Sequence, residues 1–167
     1  AIGALLLIHV PQPTRTVDGQ AGRGNILREA WFGFAYIFRR RSLLGLQLVF
    51  LVGNLFSSMA FTLLAPMVLA RSGQDSVVFG SVQTAGAVGG VVGGIVMSAW
   101  GGFRRRVHGV LLGWVLSGLS MSVVGLGRGL PVWVPAMFLV MTIIPLVNAS
   151  NQAIWQAKVA PDIQGRV

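Results

Sequence analysis

The chain has 167 residues, 54% hydrophobic and only 10% charged, with a mean hydropathy of +0.74, whereas a soluble domain averages about 25% charged residues. Its formal net charge of +9 raises nucleic acid as a partner, but the arginines are spread over loops instead of being gathered with stacking or base-reading groups, so nucleic acid is excluded and membrane orientation and anionic lipid account for the charge. The absence of cysteine excludes a disulfide framework and thiolate metal sites and leaves the redox compartment open.

Residues 1–10 are an apolar run that would cover about 15 Å as a helix, half a bilayer. No basic segment precedes it and no small-residue cleavage site separates it from Pro11-Gln12-Pro13, so it does not read as a signal peptide. The expectation is the tail of a truncated membrane helix. At the other end Gly165-Arg166-Val167 stops where a further helix could begin, and the whole reads as an internal fragment.

Residues 11–42 form a polar linker that becomes an amphipathic helix. Pro, Thr, Asp and Gly fill 11–24; beyond them Ile26, Ala30, Trp31, Phe34 and Phe38 recur at helical spacing, with Arg28, Glu29 and Arg39 to Arg41 elsewhere, the pattern of a helix at the headgroup boundary.

Four spans follow, over 43–70, 77–100, 109–127 and 131–156, each uncharged and each long enough for the roughly 20 residues a bilayer needs. The fold class is therefore all-α, a polytopic membrane helix bundle. In the first span Gln47, Asn54 and Ser58 fall within about 40° of one another at 100° per residue, a narrow polar stripe. The second contains Gly86, Gly89, Gly90, Gly93 and Gly94, three overlapping GxxxG pairs that allow close backbone approach; Gly86 and Gly90 are taken as its packing face. The third has only serines as polar residues and reads as structural. The fourth contains Pro135 and Pro145, which predict bending, and Asn148, Gln152 and Gln156 at four-residue intervals, amides that must face protein or water.

Eleven of the thirteen basic residues lie before the first span, around Arg105, or after the fourth. By the positive-inside rule, loops 11–42, 101–108 and 157–167 are cytoplasmic, in a multi-pass membrane protein. Trp100, Trp133 and Trp155 sit at span ends, as interfacial anchors do; Trp114 is displaced inward by about a turn and a half.

No catalytic or metal-ligating constellation is visible. His9 and His108 are isolated, and Asp18, Glu29, Asp75 and Asp162 lie in loops or at the interface, so neither a catalytic residue, a metal site nor a cofactor is expected. Gly125-Leu-Gly-Arg-Gly129 lacks the spacing of a nucleotide loop and reads as a turn.

Four patterns in this order resemble the second half of a major facilitator superfamily transporter, and are most similar to the bacterial multidrug, macrolide and siderophore exporter branch. They are the basic amphipathic segment from Leu27 to Arg41, the glycine-rich second span, Gly94-x3-Ser98-x2-Gly101 followed by Arg104, Arg105 and Arg106, and Gln152-x3-Gln156-x-Lys-Val-Ala-Pro-Asp-Ile-Gln-Gly-Arg-Val167. The third resembles the superfamily's conformational loop motif, although Ser98 stands where the motif carries an acid, which removes the charge a latch between helices needs. Arg104 to Arg106 read equally well as topology signals alone.

The resemblance implies a twelve-helix protein whose missing N-terminal half is a partner of this one, alongside the lipid bilayer. It also implies that the first and fourth spans line a cavity for a small-molecule substrate, with Gln47, Asn54, Ser58, Asn148 and Gln152 facing it. The expected function is export of small amphipathic molecules by alternating access. A non-transporting membrane scaffold or partner subunit, using the same packing signals, is the alternative.

Overall fold

The computed structural model describes residues 26–159, with side chains from Trp31 onward. The truncated helix tail at 1–10, most of the linker and the motif beyond Val159 lie outside the described residues. Within them the chain forms five helices: α1 (Ile26–Arg39), α2 (Arg41–Arg71), α3 (Ser76–Trp100), α4 (Arg106–Leu126) and α5 (Leu130–Lys158), with no strand. The last four are each long and apolar enough to cross a bilayer, so the fold is an all-α membrane helix bundle. It divides into two compact units, one of Ala1–Gln47 with Gln156–Val167, the other of Leu48–Trp155.

In the first unit, Trp31, Phe34 and Phe38 lie on one face of α1 and are 75%, 60% and 64% exposed, while Gly33 and Tyr36 are buried on the other. Arg40 is the single non-helical residue between α1 and α2. Its guanidinium stands 4.1 Å over the Tyr36 ring, a cation–π contact, and donates to the Lys158 carbonyl at 3.3 Å.

In the second unit, Leu64, Val68, Val82, Val124, Trp133, Ala136, Met137 and Val140 form the core near the turns at 71–76 and 126–130. Trp133 is a correction to the sequence reading. It is not an interfacial anchor but the largest fully buried side chain, 1% exposed, with its indole N–H given to the Val124 carbonyl at 3.1 Å. The last carbonyls of α4 are satisfied from α2: Arg71 Nη1 donates to Gly125 O at 2.6 Å and Gly127 O at 3.0 Å. Asp75 caps α3, accepting from the Val77 and Val78 amides at 2.8 and 3.3 Å.

Helix α5 is the hub of this unit, and glycines on two neighbours let it come close. Gly89 and Gly93 of α3 abut the backbone of Phe138 and Thr142; Gly109 and Gly113 of α4 leave room for Ser150 and Val147. Outward-facing Leu51, Leu55, Leu63, Val91, Ile95, Leu116 and Leu119 are exposed, a surface suited to hydrocarbon and not to water. Pro66, Pro135 and Pro145 all lie inside continuous helices, where each leaves the carbonyl four residues earlier without its ladder donor.

Candidate functional site

The polar stripe of α2 and the amide end of α5 meet in the second unit. Phe50, Asn54, Ser57, Ser58 and Phe61 recur every three or four residues and so share one face of α2. Together with Trp114 and Ser117 of α4 and Ile144, Val147 and Asn148 of α5 they line a partly open cavity of about 210 Å³, at which Asn54, Ser58 and Asn148 are exposed. Asn54 Nδ2 donates to the Phe50 carbonyl at 2.8 Å, which leaves its amide oxygen and second amide hydrogen for a ligand. The Ser58 carbonyl accepts from the Thr62 hydroxyl at 2.8 Å.

Of the five residues expected to face a substrate, Asn54, Ser58 and Asn148 are brought together here. Gln47 and Gln152 are not among the lining residues. Gln47 belongs to the other compact unit, and Gln152, one turn beyond Asn148, is exposed outside the cavity. The period of the amide stripe cannot tell the turn that reaches the cavity from the next.

A second cavity of about 430 Å³ adjoins the first, bordered by Gly53, Phe56 and Ala60 of α2, Gly118, Met121 and Ser122 of α4, and Val140 of α5. Ser57, Phe61, Trp114 and Ser117 belong to both walls. No lining residue of either is charged, so both are suited to a mainly apolar guest met by a few hydroxyl and amide groups.

Trp114 is the residue the sequence reading left out, having assigned the third span to structure alone. Its indole lies edge-on to Phe50, ring centroids 5.7 Å apart at 80°, and against Gly53, where a methyl group would lie 2.6 Å from ring carbons. Its Nε1 is buried with no hydrogen-bond partner among the described residues. The available signal was position: a tryptophan well inside a span is not an interfacial anchor.

The expected packing pair in the second span is split. Gly86 meets Met141 and Met137 at 3.2 and 3.4 Å, but nothing lies within 4 Å of where a Gly90 side chain would begin, and the same is true of Gly94. The face in contact with α5 is Gly86, Gly89 and Gly93, because α5 lies on the side of α3 away from Gly90.

In the loop motif, the Ser98 hydroxyl donates to Gly94 O at 2.9 Å, inside its own helix. Gly101 ends α3 in the left-handed conformation, φ 72°, its N–H bonded to Met97 O at 2.8 Å, the helix stop that favours glycine. Arg104 and Arg105 are exposed; the arginine that engages the motif is Arg106, whose Nη1 donates to Gly101 O at 2.5 Å.

No family model matches the chain, and no solved structure matches it. It is similar to macrolide efflux protein A of Enterococcus faecalis, 24% identical over 168 residues, covering 98% of this chain and 50% of that protein. The chain thus spans about half the length of the curated relative it matches. Four helices long and apolar enough to span a bilayer make this a multi-pass membrane protein, and nearly its whole length bears a distant likeness to an efflux protein.

Proposed function

We propose that the chain is part of the second half of a major facilitator superfamily exporter, in the branch that handles drugs, macrolides and siderophores, and that it works by alternating access between two halves. The observation that carries this reading is the meeting of Asn54 and Ser58 of α2 with Asn148 of α5 in one uncharged, mostly apolar cavity. Such walls suit an amphipathic solute that carries its own polar groups. In this reading the protein resides in a bacterial cell membrane, with the loops at 11–42, 101–108 and 157–167 on the cytoplasmic side. The test is efflux of lipophilic cations, macrolides and siderophores from cells expressing the full-length gene, with and without a protonophore. Protonophore-sensitive efflux is expected; no efflux of any of them despite correct insertion would end the exporter reading.

A non-transporting scaffold is the competing reading, favoured by the bond from Asn54 to its own helix at Phe50, as a packing residue would make. Cysteines introduced at Asn54 and Asn148 decide between the two. Labelling by aqueous thiol reagents in the full-length protein fits a cavity, and protection at both positions fits packing.

A further inference from the structure

We propose that Trp114 is the hydrogen-bond donor by which this cavity selects ligands bearing oxygen acceptors, such as the carbonyl and ether groups of a macrolide, over purely apolar or cationic ones. The inference rests on the exporter reading and deepens it by naming the group that discriminates.

Three observations combine. The indole Nε1 is buried and has no partner among the described residues, although an indole N–H normally finds an acceptor when buried. Trp114 forms part of the wall of both cavities, so it stands beside a guest of either. Its position is set by packing: Phe50 meets it edge-on, and the missing side chain of Gly53 leaves the room in which the ring lies. The other polar groups around it are hydroxyls and amides that can donate or accept according to need. Trp114 can only donate, and so it imposes a sign on the ligand. In this proposal the ring turns about its side-chain bonds when a guest enters, so that the buried N–H reaches the adjoining cavity and an acceptor there replaces a missing bond. A ligand without an acceptor would gain only contact with the ring face. A site whose buried donor must be matched discriminates more strongly than apolar contact alone.

The experiment is equilibrium binding of erythromycin, rich in oxygen acceptors, and of tetraphenylphosphonium, which has none, to the full-length protein in lipid nanodiscs. Trp114→Phe keeps an aromatic ring and removes the N–H. Replacement of Trp114 by benzothienylalanine removes the N–H while keeping the size of the indole, and carries the test if the phenylalanine variant does not fold. Either change is expected to weaken erythromycin binding roughly 3- to 10-fold, the range for one net hydrogen bond, and to leave tetraphenylphosphonium within about twofold of the wild type. Unchanged erythromycin binding, or equal weakening of both probes, overturns the donor role and leaves the exporter reading standing. A wild-type protein that binds neither probe overturns this proposal and also removes the macrolide and lipophilic-cation classes from the exporter reading.

Discussion

Gly93 of α3 and Thr142 of α5 meet backbone against backbone: a methyl group on Gly93 would overlap the Thr142 carbonyl oxygen and lie 2.9 Å from its carbonyl carbon and Cα. One turn earlier Gly89 stands in the same relation to Phe138, whose carbonyl also accepts the Thr142 hydroxyl at 2.8 Å. A main-chain atom cannot rotate away as a side chain can. Gly93→Leu is therefore expected to cost about 3 kcal/mol, the upper end for overpacking, whereas Gly90→Leu, directed into open space, is expected to cost under about 1 kcal/mol. Thermal unfolding of the purified variants measures both. Equal losses at the two positions would mean that α3 presents its other face to a neighbour as well.

Gly53 and Trp114 make a different prediction from the same kind of contact. Here the obstacle is a side chain flanked by two cavities, so Gly53→Ala can push the indole aside. Alanine also gains about 1 kcal/mol of helix propensity over glycine. Stability is expected to change by no more than about 1 kcal/mol, while macrolide binding falls and the fluorescence of Trp114 shifts, read in a variant that retains only this tryptophan. A stability loss as large as that of Gly93→Leu would show that the ring cannot yield.

Arg71 joins the end of α2 to the end of α4 through two bonds to carbonyls that have no helical donor of their own. Charge-assisted bonds are strong, but this guanidinium is exposed and screened, which limits their joint contribution to about 1–2 kcal/mol. Arg71→Ala should lose that amount and speed amide exchange at residues 123–129. Arg71→Lys should recover part of it, since an ammonium keeps the charge without the planar fork. Amide exchange in Arg71→Ala as slow as in the wild type would show that other groups or water hold this end of α4.

The four spans were legible in the residues because a helix in hydrocarbon must satisfy its backbone internally, which makes length and apolarity local properties of the chain. The shared face of Asn54 and Ser58 was equally legible, being a matter of helical period. Which of five glycines would be buried was not. Gly86/Gly90, Gly89/Gly93 and Gly90/Gly94 are equivalent as patterns, and only the position of α5 made Gly89 and Gly93 the contact face. Asn148 and Gln152 lie on the same stripe, yet only the turn opposite Asn54 reaches the cavity.

The tryptophans divide along the same line. Sequence marked Trp114 as misplaced for an interfacial anchor but could not supply its neighbours, since Phe50 and Gly53 are more than fifty residues away along the chain. Trp133 had the position of an anchor and became the centre of the core, because Val124, at the end of the preceding helix, offers a carbonyl to its N–H. What the sequence alone determined about this protein is its membrane character, its helices and the polar stripes of the first and fourth spans, properties settled within a few turns of chain. Which faces met was decided by tertiary structure alone, because a glycine gap, an unpaired donor or a shared cavity exists only between helices.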